Sequence, residues 1–250
     1  MTKPLKVVSI SIDLFLVSIL LYNIYQYIPY RVEHFTAISK VHAHRVNTIT
    51  KLTQANIYFN GVELDVYYDK ETNKFDIYHP PTESIGLSLD KYFSKISNKK
   101  LKIWLDFKNL TSYNRESSAD KLLFLIRKYK LNKGLILVES KNIKVLQYIK
   151  KKGFTTSYYV PSRLYKSSSL FKDSIYKLID QYEGQKISFS YQNYEDLLIK
   201  YPQKKKYVWA LYGNPISRVR LRQIGVTKKI LNDSFVKRVL VPFKSIGGNR

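Results

Sequence analysis

The chain has 250 residues, no cysteine, and 43 Lys+Arg against 19 Asp+Glu, for a formal net charge of +24. The lack of cysteine excludes a disulfide framework, a thiolate zinc site and a cysteine nucleophile. The cationic excess suits an anionic surface or substrate such as phosphate-bearing lipid, polysaccharide or nucleic acid, although a general bias towards Lys, Ile, Tyr and Asn also accommodates it.

Lys3 and Lys6 precede an apolar run from Val7 to about Pro29, close to the ~20 residues that cross a bilayer. No small-residue cleavage site follows, so residues 1–34 are predicted as an uncleaved signal anchor, a transmembrane helix. Positive charge ahead of the run keeps the N-terminus cytoplasmic and places the following domain outside the cytoplasm, periplasmic or extracellular. Asp13 falls in the first third of the run, where a carboxylate is less costly than at its centre. A buried helix of the domain is the alternative.

From residue 35 to 250 the chain alternates strands and helices. The first strand runs into 40–45 (KVHAHR) and a helix covers 47–55. The second strand is 61–69 (GVELDVYYD), extended by 75–79 (FDIYH), with a helix at 88–96. The third strand is 101–108 (LKIWLDFK), then a helix at 117–130. Strand 134–140 (GLILVES) precedes a helix at 142–152, and strand 155–160 a helix at 168–182. Strand 186–191 precedes a helix at 193–201, strand 206–213 a helix at 217–231, and 237–243 is the last strand. Eight strand–helix units in one domain predict a parallel sheet closed into a (β/α)₈ TIM barrel, with an open doubly wound sheet as the alternative.

In such a barrel the C-terminal strand ends build the active site, and here they are polar. Glu63 and Asp65 are two apart on one strand and share a face. His44 and Arg45 end the first strand, His79 ends the extension of the second, Asp106 and Lys108 share a face of the third, and Glu139 ends the fourth. Two buried carboxylates on one face repel, and a positive charge between them is required. Each residue has a structural reading: a hydrogen-bonded histidine, an Asp106–Lys108 ion pair, Arg45 balancing Glu63 and Asp65. Together they suit metal-assisted phosphodiester chemistry. The carboxylates are hard oxygen ligands for Ca²⁺ or Mg²⁺, two histidines serve as general acid and base, and Arg45 and Lys108 hold phosphoryl oxygens. There is no G-x-S-x-G elbow, Walker loop, G-x-G-x-x-G or H-E-x-x-H.

The pattern HR (44–45), ELD (63–65), His79 and LDFK (105–108) resembles the glycerophosphodiester phosphodiesterase family, whose order is H-R, E-x-D, H-D and an acidic-x-Lys pair. VWALYGN (208–214) resembles that family's W-T-x-N strand, and the motif order across 42–109 is similar to the menorin-like branch of the superfamily. The resemblance implies one divalent cation, Ca²⁺ or Mg²⁺, held by Glu63, Asp65 and Asp106. It also implies His44 and His79 as the acid/base pair, Arg45 and Lys108 as phosphate ligands, and Trp209 in the substrate pocket, joined by Glu139 at its strand end. The implied activity is hydrolysis or cyclising cleavage of an anionic phosphodiester, a lipid head group or a surface polymer, at a membrane. Val46 replaces the family's glycine after H-R and would crowd the phosphate loop. Pro80 replaces the aspartate after the second histidine, and the following segment is too short for the insertion that shapes a glycerol pocket. A non-catalytic barrel acting as a binding or adhesion module is the alternative function. Nucleic acid is not the expected partner, and nothing in the sequence sets an oligomeric state. Tyr158, Tyr159, Tyr191 and Tyr212 are expected to pack the barrel rather than form an aromatic substrate platform.

Overall fold

The computed structural model describes residues 3–28, 30, 32–182, 184–209 and 218–246. Its strands are β1 Val41–His44, β2 Gly61–Asp69, β3 Lys74–Ile77, β4 Lys102–Phe107, β5 Ile136–Ser140, β6 Thr155–Tyr159, β7 Lys186–Ser190, β8 Lys206–Trp209 and β9 Val236–Pro242. The helices are α1 Lys3–Tyr27, α2 Ile49–Tyr58, α3 Leu89–Ser94, α4 Arg115–Lys128, α5 Ile143–Lys151, α6 Ser169–Gln181, α7 Tyr194–Lys200 and α8 Arg218–Asn232. Neighbouring strands are parallel except at β3, which folds back antiparallel on β2. Strand β1 pairs with β2 at one edge and β9 at the other, so eight parallel strands close into a TIM barrel. That closure rules out the open doubly wound sheet. The seventh strand was expected to reach residue 213; β8 is described to Trp209, and 210–213 lie outside the described residues.

The sequence folds this way because most strands of the barrel bury both faces. On β2, Val62, Leu64 and Val66 point outwards into the core beneath the helices, and all three are fully buried. Glu63 and Asp65 alternate with them and point into the barrel. The barrel interior is packed by Trp104, Leu137, Tyr207 and Leu240, with Trp209 against them. Below this layer Arg238 crosses from β9 and donates to the carbonyls of Ile103 and Leu135. His42 lies over Gly61, where a Cβ would come within 2.4 Å of the imidazole; only glycine fits that start of β2. Side-chain caps fix several helix starts at the strand–helix turns: Thr48 accepts from Lys51 N, Ser88 from Lys91 N and Ser168 from Phe171 N.

The expected transmembrane helix is not found: among the described residues no helix is long and apolar enough to cross a membrane. Backbone is helical over Lys3–Tyr27, and side chains of the apolar run are described for 12–24 and 28. Asp13, Ser18 and Asn23 interrupt the apolar run, and Ser18 and Asn23 turn their polar groups back onto the carbonyls of Leu14 and Ile19.

Candidate active site at the C-terminal mouth of the barrel

Parallel register brings the polar strand ends to one level. Asp65 lies beside Asp106, and Asp106 beside Glu139. A cavity of about 80 Å³ at this end is lined by His44, Arg45, Glu63, Asp65, His79, Trp104, Asp106, Lys108, Glu139, Tyr159, Trp209 and Leu240. Every residue singled out from the sequence as a site residue therefore converges on one cavity. His42 does not: it lies at the base of the barrel, where burial and the charges of Arg238 and Lys102 push its pKa well below the ordinary value.

Glu63, Asp65 and Asp106 each present an oxygen within 4.8 Å of the others. Glu63 and Asp65 are almost completely buried. Burial, with the charges of Asp65 and Asp106 adding, pushes Glu63 well above the usual carboxylate range. Asp106 and Glu139 are raised as well, again chiefly by burial. Lys108 supplies the compensating charge. Its Nζ lies 2.6 Å from Asp65 Oδ1 and also contacts Asp106 Oδ2, and these carboxylates raise its pKa against the opposing effect of burial. The sequence reading assigned Lys108 to phosphate; here it is clamped between two carboxylates at the cavity wall. Among the described residues Glu63 has no lysine or arginine side chain in such contact. Its Oε2 accepts from the backbone N–H of Arg45 at 2.7 Å and lies 3.6 Å from His44 Nε2.

Arg45 takes a left-handed backbone conformation, φ 52°, which is costly for a residue with a Cβ. That turn aims its N–H at Glu63 and its guanidinium at His79, with Nη2 3.1 Å from His79 Nε2. Arginine can only donate, so Nε2 accepts and the imidazole carries its proton on Nδ1. Burial, reinforced by Arg45, pushes the His44 pKa down to about 3, so its imidazole is neutral near pH 7.

Several residues that hold the site carried little signal in the sequence. Asn47 donates to Asp65 Oδ2 at 2.7 Å and accepts from the Asp65 N–H at 3.0 Å, holding this residue by both its carboxylate and its backbone. Lys51 donates to the carbonyls of His44 and Arg45, tying down the end of β1. Tyr159 packs against Trp209 with ring centroids 4.7 Å apart and lines the cavity. It therefore forms part of an aromatic wall, whereas Tyr158 is core packing as expected. Tyr212 lies outside the described residues. Val46 does not crowd the site: it is fully buried among the core side chains, and its N–H donates to the Glu63 carbonyl.

No protein-family model matches the chain, and no curated protein matches it. Solved structures do. A glycerophosphodiester phosphodiesterase from Parabacteroides distasonis superposes with a TM-score of 0.57 at 15% identity, over 82% of this chain and 93% of that one. A glycerophosphodiester phosphodiesterase from Thermotoga maritima gives 0.53 at 18% identity, over 81% and 93%. An Oleispira antarctica phosphodiesterase, in complex with the product sn-glycerol-3-phosphate, gives 0.53 at 15%, over 84% and 94%. None of these likenesses singles out the menorin-like branch. What they establish is that the chain shares the closed (β/α)₈ barrel fold of glycerophosphodiester phosphodiesterases.

Proposed function

We propose that the protein is a divalent-metal-dependent phosphodiesterase. The observation that carries this reading is the convergence of three carboxylates, two of them buried, with two histidines, Arg45 and Lys108 on one cavity at the C-terminal mouth of the barrel. The fold it shares with phosphodiesterases from three organisms supports it.

The donor set fits Ca²⁺ or Mg²⁺: all three groups are carboxylates, hard ligands of the kind these ions take, and among the described residues Glu63 is buried without a cationic side chain of its own. Glu63, Asp65 and Asp106 would hold the ion, whose charge would offset that of the phosphoryl oxygens. Arg45 binds a non-bridging oxygen with the donors that otherwise engage His79. Neutral His44 takes the proton of the attacking hydroxyl or water at Nε2 as its oxygen bonds to phosphorus. With Arg45 turned from Nε2 to the phosphoryl group, His79 Nε2 is free to carry a proton and to pass it to the ester oxygen as the second P–O bond breaks. Tyr159 and Trp209 form the wall against which the alcohol portion rests, with Glu139 at its edge.

The substrate class is an anionic phosphodiester, and the cationic surface favours its approach. We further propose that the barrel domain of residues 35–250 works at a membrane outside the cytoplasm. Leu14, Phe15, Leu20 and Leu21 on α1 are all more than half exposed, and so much apolar surface favours attachment to lipid. Flotation with anionic vesicles before and after removal of residues 1–34 tests that placement. The seating of Lys108 between Asp65 and Asp106 favours one competing reading: a barrel in which an internal lysine replaces the ion and the site only binds ligands. Hydrolysis of bis(p-nitrophenyl) phosphate with Ca²⁺, Mg²⁺ or EDTA, alongside His44→Ala and His79→Ala, separates the two. Turnover that needs an ion and disappears in both variants supports the enzyme; ion-independent binding without turnover supports the alternative.

A further inference from the structure

Arg45 and His79 line two cavities at once. On one side is the compact site beneath Tyr159 and Trp209, about 80 Å³. On the other is a groove of about 640 Å³ whose walls include Ile77, Tyr78, Ile85 and Phe243. That volume falls within the ~300–1,000 Å³ of small-molecule sites. A phosphodiester has two ester alcohols, and the Arg45–His79 contact sits where the phosphoryl group between them would lie.

The groove has cations on its lining, but they are engaged. Lys51 donates to the His44 and Arg45 carbonyls at 3.1 and 2.8 Å, and Lys244 already has a partner. Glu83 on the same lining disfavours a polyanionic chain. The apolar side is braced by aromatic contacts. Tyr78 stacks on Tyr67 at 4.7 Å, and Phe243 is held by the rings of Tyr58 and Phe59. Ile85 stands 66% exposed at this wall. The short connection from His79 to α3 leaves the groove open rather than closed over a small polyol.

We infer that the substrate is a phosphodiester in which one ester alcohol carries a single hydrocarbon chain, seated along Ile85, Tyr78 and Phe243, while the other alcohol is compact and occupies the Trp209 side. This inference rests on the phosphodiesterase reading for its chemistry. Its test reads binding alone, so the two fail separately.

Titration calorimetry of the full chain with hexyl-, octyl- and decylphosphocholine below their micellar concentrations, and with glycerophosphocholine, provides the test. The expected result is affinity rising roughly fourfold for each methylene seated. Ile85→Asp is expected to weaken decylphosphocholine by at least tenfold and leave glycerophosphocholine unchanged. Leu170→Asp, at an apolar side chain 81% exposed on α6, changes neither. A flat chain-length series, or an equal loss in Leu170→Asp and Ile85→Asp, overturns the inference. Chain-length dependence without hydrolysis of any diester would uphold the groove while removing the phosphodiesterase reading.

Discussion

Replacing Lys108 by methionine keeps most of the side chain and removes its charge. Its ammonium lies 2.6 Å from Asp65 Oδ1 and also contacts Asp106, and Asp65 is only 2% exposed. Without it, two carboxylates face each other beside Glu63. Removing one partner of a buried ion pair costs about 3–5 kcal/mol. Lys108 and Asp106 retain some water contact, at 16% and 14% exposure, which places the expected loss at the lower end, about 3 kcal/mol. For a chain of this size that is about 6–12 °C in the unfolding midpoint. Thermal unfolding in EDTA measures it directly. The same experiment in saturating Ca²⁺ or Mg²⁺ is expected to cut the loss below ~1 kcal/mol, because an ion that binds only the folded state restores charge balance among the carboxylates. An equal loss with and without the ion, or no loss in EDTA, refutes the electrostatic account of the site.

Three further outcomes follow from other contacts. Asn47→Ala removes both hydrogen bonds to Asp65 and is expected to weaken Ca²⁺ or Mg²⁺ binding about 10–100-fold, as loss of an outer-shell partner does; titration calorimetry reads this, and unchanged affinity would contradict the positioning role. His44 is depressed from 6.5 to about 3, so its contribution to stability is fully present above pH 6.5 and lost as pH falls towards 3. Urea unfolding between pH 7 and pH 4 should therefore show a shallower decline in His44→Gln than in the native chain, and identical slopes would sink that assignment. Val46→Gly removes a fully buried core side chain and should cost about 3 kcal/mol of stability without lowering KM for any diester; a lower KM would mean that Val46 obstructs the phosphate after all.

The barrel was legible because its physics is local and repeated. Each strand is a short apolar run, each is followed by an amphipathic segment, and the count of eight leaves few ways to bury every sheet face. The two-residue spacings Glu63–Asp65 and Asp106–Lys108 were equally readable, since strand alternation alone puts each pair on one face. Which cation balances the carboxylates was less so. Arg45 was a reasonable candidate, yet its left-handed backbone sends the guanidinium to His79, and the charge on Asp65 is met by Lys108 from two strands away in sequence. Asn47 and Lys51 act through turn and backbone hydrogen bonds that carry no periodic signature. The fate of Val46 depended on which way one turn residue points. The length of the N-terminal apolar run did not by itself give a membrane-spanning helix among the described residues.

The central claim is that Glu63, Asp65 and Asp106 serve a reaction at phosphorus. The most direct measurement is ³¹P NMR of glycerophosphocholine and of decylphosphocholine, each incubated with the full chain and Mg²⁺ or Ca²⁺, with Glu63→Gln as the control. The account expects the diester signal to give way to a monoester or a cyclic phosphate, and to persist in EDTA and in Glu63→Gln. A diester signal unchanged by either ion, in protein shown by calorimetry to have bound that ion, would contradict it.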